Sequence, residues 1–194
     1  MNVVILGTTG YTGQVLLRIL SNHSDIEAII PVSSSRAGSS VFSIDAGLNP
    51  NIVEKLYNND ENLVSVEQAV SLSPDVVFAA LPHLASAKVC EPFFDSSVVI
   101  DLSADFRIRD KDRFAAAYGE PPPFPELIPQ SAYGLCELYR EQIKKADIIA
   151  NPGCYPTATL LPIIPLLRSG IIGGDESEGK IIVNALSGIS GAGK

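Results

Sequence analysis

A cysteine at the start of a predicted helix is the residue of this sequence best suited to covalent chemistry. Cys154 stands in the run Asn-Pro-Gly-Cys-Tyr-Pro-Thr, after a short apolar strand, and opens a predicted helix over 154–167. Unpaired backbone N–H groups and the positive end of the helix dipole favour a thiolate there. The alternative is a buried structural cysteine, which suits Cys90 and Cys136 inside their apparent helical segments. From the residues alone, both interpretations stay open for Cys154.

A glycine-rich turn near the start of the chain is suited to holding a pyrophosphate. The run Gly-Thr-Thr-Gly-Tyr-Thr-Gly over 7–13 lies between a predicted strand and a predicted helix. Glycines allow backbone N–H groups to approach phosphates closely, and the helix N-terminus faces the anion. The GxxGxxG spacing differs from the usual GxGxxG, and a glycine turn without a ligand is the alternative. We expect dinucleotide contacts from this turn, at Gly7, Thr9, Gly10, Tyr11, Thr12 and Gly13.

The next predicted turn indicates which dinucleotide is bound. About twenty residues after the last glycine, an NAD site places an acidic residue on the ribose. That position falls at Ser33, and Ser35 and Arg36 follow it. Hydroxyls and a guanidinium suit the additional 2′-phosphate of NADP, although a merely solvated turn would have the same composition. We predict NADP as the cofactor, held at this end by Ser33, Ser35 and Arg36.

The loop after the predicted strand over 75–80 lies where a parallel sheet binds its ligands. It contains Leu81, Pro82 and His83. We expect Leu81 and Pro82 to contact the cofactor. For His83, a place in the cofactor cleft and an exposed loop position are equally open.

Two further strand ends carry candidate substrate contacts. The run Asp-Leu-Ser-Ala-Asp-Phe-Arg over 101–107 places a hydroxyl at Ser103 and a guanidinium at Arg107. Arg107 is a candidate clamp for a phosphate or carboxylate, and a solvated surface arginine is the alternative. Asn151, just before Cys154, is the third expected substrate contact.

The elements that position these residues alternate between apolar strands and helices, which indicates a doubly wound parallel α/β sheet of the Rossmann type. Strands are predicted over 2–6, 26–32, 75–80, 98–102 and 147–150, and helices over 14–20, 67–72, 85–94, 110–117 and 154–167. An irregular excursion is expected over 42–62, a packed proline-rich loop over 120–129, and a β-like run over 180–186. We predict a Rossmann domain over 1–150 and the beginning of a second α+β domain over 151–194.

Composition narrows the class of protein. The sequence has 194 residues, is 46% hydrophobic and carries a net charge of −8, which disfavours nucleic acid or an anionic membrane as a partner. No apolar run reaches the roughly 18 residues of a membrane span. Three widely spaced cysteines indicate neither a disulfide framework nor a zinc site, and no metal is expected. With no export signal after Met1, we expect a cytoplasmic protein. Because the chain ends in a glycine-rich loop, we also expect it to be a fragment.

Five ordered motifs closely resemble those of the N-acetyl-γ-glutamyl-phosphate reductases, and the resemblance spans the chain. They are the runs over 7–13, 101–107, 133–137, 151–157 and 187–193. The Gly-Cys-Tyr-Pro-Thr run separates this family from the related aspartate-semialdehyde dehydrogenases. The resemblance implies an NADP-binding Rossmann domain and a second domain for catalysis and dimerisation. It also implies that the full-length protein is an oligomeric enzyme of arginine biosynthesis.

The resemblance also implies roles for particular residues. Cys154 matches the family's nucleophilic cysteine, and the loop over 187–193, with Ser190 and Gly191, matches the loop beside the substrate and nicotinamide. The cysteine would attack an acyl phosphate, and NADPH would reduce the resulting thioester to an aldehyde. The family's catalytic histidine lies downstream of this sequence, so little activity is expected from the chain by itself. Related acyl phosphates (N-acetyl-aminoadipyl or aspartyl phosphate) and a non-catalytic NADP-binding module remain alternatives.

Overall fold

The structure, a computed structural model that describes residues 1–172 and 181–192, is built around a six-stranded parallel sheet. The strands are β1 (Asn2–Leu6), β2 (Ala28–Val32), β3 (Val76–Ala79), β4 (Val98–Asp101), β5 (Ala132–Tyr133) and β6 (Ile148–Ala150). Their order is β2-β1-β3-β4-β6-β5, and every neighbouring pair is parallel. The predicted doubly wound α/β fold is confirmed.

In the described parts of the chain, six α-helices connect or follow the strands. They are α1 (Tyr11–Leu20), α2 (Val66–Ser71), α3 (Ser86–Cys90), α4 (Lys111–Tyr118), α5 (Cys136–Ile143) and α6 (Cys154–Arg168). The predicted irregular excursion contains three short 3-10 helices, over Val41–Ser43, Pro50–Lys55 and Tyr57–Asn59. Local signals set the boundaries: α2 begins with a reciprocal capping box between Ser65 and Gln68. No helix in the described parts of the chain is long and apolar enough to cross a membrane.

The core lies on both faces of the sheet. Successive side chains of a strand point to opposite faces. Val3 and Ile5 of β1 accordingly pack with Leu17 of α1, whereas Val4 and Leu6 belong to a second buried cluster. That cluster includes Cys90 and Phe93. Burial on both faces explains why β1 is continuously apolar in sequence instead of alternating with polar residues.

Two strand predictions need correction. The β-like run over 180–186 forms no strand over 181–186, and Lys180 lies outside the described residues. Ile182 is 83% exposed and Leu186 fully exposed, because the described residues offer this run no neighbouring strand to pair with. Conversely, β5 was not predicted. It has two residues, too few for any periodicity, and it exists because Ala132 and Tyr133 pair with β6.

The sheet order positions the site. β1 lies between β2 and β3, so the chain winds outward from β1 in both directions, and this reversal marks the ligand crevice of an open α/β sheet. Since all six strands are parallel, the turns that follow them meet at one edge. This edge carries the turns that begin at Gly7, Ser33, Ala80, Leu102 and Asn151.

Candidate functional site

The glycine turn after β1 is packed too tightly for larger residues at two positions. Gly7 has φ +78°, and a Cβ built on it would lie 2.3 Å from the carbonyl oxygen of Ala80. A Cβ on Gly13 would lie 2.3 Å from the carbonyl oxygen of Gly7. At Gly10, by contrast, the nearest atom to an added Cβ is 3.5 Å away. Two of the three predicted glycines are therefore required by the close packing of the turn against itself and the end of β3.

A buried threonine fixes this turn to the neighbouring strand. The Thr8 hydroxyl donates to the carbonyl oxygen of Ile5 at 2.8 Å and accepts from the backbone N–H of Val32 at 3.0 Å. The side chain thus joins the end of β1 to the end of β2. From the sequence, Thr8 was assigned no role, although a hydroxyl residue in the turn after a buried strand was a usable signal.

The N-terminus of α1 is suited to an anion. The helix begins at Tyr11 and not at the predicted Gln14, so Tyr11 and Thr12 lie in its first turn. Gly10 is the N-cap residue, no side chain among the described residues caps it, and the first turn has no acidic residue. The Thr9 carbonyl accepts from the Gln14 side-chain amide at 3.1 Å, which closes the turn over the helix start. The helix dipole and first-turn N–H groups there favour a phosphate.

The three residues predicted to distinguish NADP from NAD lie together after β2. Ser33 is buried, and its hydroxyl accepts from the backbone N–H of Arg36 at 3.2 Å. Ser35 and Arg36 are exposed, and Arg36 Nη2 donates to the hydroxyl of Ser43 at 3.2 Å. Ser33 shapes this turn, whereas Ser35 and Arg36 present their polar groups to solvent at the ligand edge of the sheet.

The loop between β3 and α3 contacts the glycine turn on one side and a buried carboxylate on the other. The Leu81 side chain is half-buried and lies 3.1 Å from the place of an added Cβ on Gly7. Pro82 is exposed, and its carbonyl accepts from the Ser86 backbone N–H at 3.0 Å. Asp105, which is fully buried, accepts from backbone N–H groups of this loop and of α3. His83 is exposed, with its ring centroid 5.4 Å from that of Tyr118.

Ser103 occupies the centre of a buried polar network. Its hydroxyl donates to Asp101 at 2.6 Å and accepts from the backbone N–H of Asp105 at 3.1 Å. Asp101 also accepts from the Ser86 hydroxyl at 2.6 Å. Ser103 is only 5% exposed, and its hydroxyl belongs to a set of internal hydrogen bonds that joins β4 to α3. Its contact with substrate stays a prediction.

Burial shifts the pKa of three groups. It raises the pKa of Asp101 against the opposing effect of hydrogen bonds from Ser103 and Ser86. Burial, with a smaller contribution from the charge of Asp101, strongly raises the pKa of the Cys90 thiol. Burial also raises the pKa of Tyr133 at the end of β5. Cys90 is therefore a protonated, structural cysteine, as its position in a helix indicated.

Arg107 joins the β4 turn to the turn that precedes the cysteine. Its Nε donates to the carbonyl oxygen of Asn151 at 2.7 Å, and its Nη2 donates to the carbonyl oxygen of Leu102 at 2.6 Å. Its Nη1 lies 3.3 Å from the place of an added Cβ on Gly153. No ion pair between described residues includes Arg107. Arg107 therefore places a positive charge beside the cysteine turn, where its described hydrogen-bond partners are carbonyl oxygens.

Cys154 is the first residue of α6, and it is exposed. Gly153 is the N-cap residue, no described side chain caps the helix, and its first turn has no acidic residue. The thiol lines a cleft of about 510 Å³, formed by the first turns of α6 and the segment over 183–191. Ser190 and Gly191, both predicted to contact the cofactor, line the same cleft. The structure thus brings the cysteine and the closing glycine loop together.

One cysteine prediction needs correction. Cys136 was expected to be a buried structural cysteine, but it is exposed at the first residue of α5, and its Sγ lies 3.6 Å from the Gly134 carbonyl oxygen. The helix begins at Cys136, at the edge of the sheet, and so the thiol is not covered by the core. Among the described residues, no group of three or more His, Cys, Asp or Glu side chains is arranged to hold a metal ion.

The fold and the site define a class of protein, the Rossmann-type dinucleotide-binding proteins. Sequence comparison makes this specific. The semialdehyde dehydrogenase NAD-binding domain matches residues 2–146, and the semialdehyde dehydrogenase dimerisation domain matches residues 154–194. The chain belongs to the semialdehyde dehydrogenase family, and most of its length is that family's domain for a nicotinamide cofactor.

Curated relatives narrow the likeness further. The chain is 43% identical to an N-acetyl-gamma-glutamyl-phosphate reductase of Caldicellulosiruptor bescii, over 98% of this chain and 52% of that protein. It is 44% identical to the enzyme of the same name from Azotobacter vinelandii, over 100% of this chain and 54% of that protein. A protein from Arabidopsis thaliana named probable chloroplastic N-acetyl-gamma-glutamyl-phosphate reductase is 38% identical, over 100% of this chain and 46% of that protein. The chain spans about half the length of these relatives.

A solved structure supports the fold. Aspartate semialdehyde dehydrogenase from Candida albicans, crystallised with NADP, superposes with a TM-score of 0.52. The match covers 87% of this chain and 47% of that chain, at 19% sequence identity. At this identity the likeness concerns the architecture alone.

Proposed function

We propose that this chain carries the cofactor domain and the nucleophile of an NADPH-dependent reductase of N-acetyl-γ-glutamyl phosphate. The product would be N-acetylglutamate 5-semialdehyde, an intermediate of arginine biosynthesis. The proposal depends chiefly on one observation: an exposed cysteine at an uncapped helix start lies beside Arg107, at the same sheet edge as the glycine turn. The names of the curated relatives support this choice of substrate.

We also propose how the chain is organised. Residues 1–150 form the cofactor domain, and residues 151–194 belong to the second, catalytic domain. The match of residues 154–194 to a dimerisation domain supports assembly into a homo-oligomer. Helix α6 is consistent with this, because none of its residues is buried within the chain and Leu166 and Leu167 are exposed.

The residues present fit a nicotinamide dinucleotide. The pyrophosphate would lie at the glycine turn and the uncapped start of α1, and Ser35 and Arg36 would bind the 2′-phosphate of NADP. Leu81 and Pro82 would line the cleft next to Gly7. When bound, the cofactor in its reduced form supplies a hydride to the carbonyl carbon under reduction.

The cysteine chemistry follows from the position of Cys154. The thiolate attacks the acyl carbon, the bond from carbon to the phosphate oxygen breaks, and phosphate leaves with the electron pair, which produces a thioester. Backbone N–H groups at the start of α6 would stabilise negative charge on the carbonyl oxygen. Hydride addition to the thioester carbonyl would leave a thiohemiacetal oxyanion on Cys154. As its carbonyl re-forms, the carbon–sulfur bond breaks and sulfur keeps the electron pair, which releases the aldehyde and regenerates the thiolate. Arg107, whose guanidinium lies beside Gly153, would attract the phosphate or carboxylate of the substrate.

The preference for NADP is testable at Arg36. We expect Arg36→Ala to lower the ratio of NADPH to NADH affinity about tenfold, the loss of one charge-assisted contact to the 2′-phosphate. Calorimetry with both cofactors measures this ratio. Arg113→Ala is a matched control, since Arg113 is an exposed arginine on α4. A ratio that is the same in Arg36→Ala and in the unsubstituted chain would contradict the assignment.

The substrate is testable by comparing three acyl phosphates. On a protein that spans the length of the curated relatives, we expect the highest kcat/KM with N-acetyl-γ-glutamyl phosphate. N-acetyl-aminoadipyl phosphate has one more methylene, which commonly costs about 10–200-fold in kcat/KM, and aspartyl phosphate lacks the acetyl group. A higher kcat/KM with either competitor would reassign the substrate. NADPH binding without turnover of any of the three would favour a non-catalytic module.

A further inference from the structure

Within the described residues, the buried carboxylate of Asp105 accepts hydrogen bonds from two backbone N–H groups, one at each oxygen. Oδ1 accepts from the N–H of Leu84 at 2.6 Å, and Oδ2 accepts from the N–H of Ala87 at 2.9 Å. Asp105 is fully buried, and no ion pair between described residues includes it. A buried carboxylate needs strong hydrogen bonds, so these two N–H groups and the carboxylate hold one another in place.

The residue held by Oδ1 has an unfavourable backbone conformation. Leu84 has φ +65°, in the left-handed region that non-glycine residues rarely adopt. Such a residue persists only where its surroundings stabilise it. The bond from its N–H to Asp105 is a contact that supplies this stabilisation.

The loop over 81–86, which Asp105 holds in this way, contains two of the expected cofactor contacts. Leu81 packs against the glycine turn at Gly7, and the Pro82 carbonyl accepts from the N–H of Ser86. The loop is therefore fastened at one end by the tight packing of β3 on Gly7. Asp105 fastens the other end, across a separation of 18 residues in sequence from Ala87.

We propose that Asp105 is a positioning residue for the nicotinamide cofactor. Its carboxylate holds the loop over 81–86 in the one conformation that places Leu81 and Pro82 along the cofactor cleft. This inference rests on the proposed function, because it assumes that the cleft binds NADP. Asp105 is fully buried and does not reach the cleft surface; it acts through the two backbone N–H groups.

Only a carboxylate meets this requirement. Backbone N–H groups donate and cannot accept, so Asp105→Asn leaves one N–H facing the amide NH₂, a second donor. Asp101 offers a contrast in the same network. Its Oδ1 accepts from the Ser103 backbone N–H and the Ser86 hydroxyl, but its Oδ2 accepts from the Ser103 hydroxyl, which can rotate and accept from an amide NH₂ at that position. Asp101→Asn is thus an equally buried, equally isosteric control.

The test measures NADPH affinity and amide exchange on the 194-residue chain. In Asp105→Asn we expect NADPH to bind about tenfold more weakly and the amides of Leu84 and Ala87 to exchange at least about tenfold faster, as for the loss of one buried bond. In Asp101→Asn we expect less than about a threefold change in NADPH affinity. Equal weakening in both variants would assign Asp105 a merely structural role and overturn the proposal.

A second substitution tests how Asp105 acts. Glycine adopts φ +65° without strain, so Leu84→Gly in the Asp105→Asn background should recover most of the lost NADPH affinity. If Asp105→Asn does not fold, Ser103→Ala replaces it: this change removes the acceptor for the Asp105 N–H and should weaken NADPH binding in the same direction. Unchanged affinity in a folded Asp105→Asn, or in Ser103→Ala, would overturn the role of Asp105. Failure of the unsubstituted chain to bind NADPH would overturn the cofactor proposal itself.

Discussion

Replacing Cys154 by serine is expected to abolish acyl transfer from the acyl phosphate. A serine hydroxyl is about the same size as the thiol but is almost entirely protonated near neutral pH, so it is a much weaker nucleophile than a thiolate. We expect phosphate-dependent reduction of NADP by the semialdehyde, the reverse reaction, to fall by at least about 10³-fold. The protein to assay for turnover spans the length of the curated relatives.

Acylation can be followed separately on the 194-residue chain. Mixing with the acyl phosphate should release about one phosphate per chain and leave the acyl group on the peptide that contains Cys154. Cys136→Ser is a matched control, since Cys136 is also an exposed thiol at the first residue of a helix. Helix α5 differs in that Glu137 lies in its first turn, where a negative charge opposes a thiolate. Phosphate release that persists in Cys154→Ser and is lost in Cys136→Ser would show that the nucleophile is Cys136 on α5, and would contradict its assignment to Cys154.

Replacing Gly7 by alanine is expected to cost much of the stability of the fold. The left-handed φ of +78° costs about 1–2 kcal/mol for any residue with a Cβ. The clash of that Cβ, 2.3 Å from the Ala80 carbonyl oxygen, adds about 1–3 kcal/mol as the ends of β1 and β3 move apart. The unfavourable φ and the clash both disturb the turn proposed to hold the pyrophosphate, so the NADPH affinity of Gly7→Ala should fall as well. Urea unfolding and calorimetry measure the two effects.

Gly119 provides the control for the conformational part of this loss. It has φ +83°, nearly that of Gly7, but an added Cβ would meet nothing within 4 Å. Gly119→Ala should therefore lose only the conformational contribution and keep its NADPH affinity. The difference in the free energy of unfolding between the two variants isolates the clash at the β1–β3 junction. Equal losses in both would show that Ala80 moves aside without cost.

The prediction of the fold succeeded where elements are local and apolar. The strands β1, β3 and β4 and the helices α1 and α2 follow from runs of buried residues and from their turns. The two failures have one physical cause, since a strand depends on its partner. The two residues of β5 pair with residues of β6 that lie 17 positions further along, whereas the β-like residues over 181–186 meet no partner in the described structure.

The candidate site was predictable in its location and less so in its details. Once the sheet is parallel, the turns after β1, β2, β3, β4 and β6 must meet at one edge, so Gly7, Arg36, Pro82, Arg107 and Cys154 were expected there. Which of these side chains face a ligand depends on hydrogen bonds over long sequence distances. Ser103 shows this. A hydroxyl at this position suits a substrate contact, but the Ser103 hydroxyl donates to Asp101 and accepts from the backbone N–H of Asp105.

By itself, the sequence determined the class of fold, the glycine turn and the cysteine at a helix start, because each depends on local patterns of apolar residues, glycines and caps. Tertiary structure alone decided that Thr8 joins β1 to β2, that Arg107 reaches the Asn151 carbonyl, and that Asp105 holds Leu84. These contacts join residues 20 or more positions apart. They exist because the sheet brings its strand ends together and because a polar group buried there must find a partner.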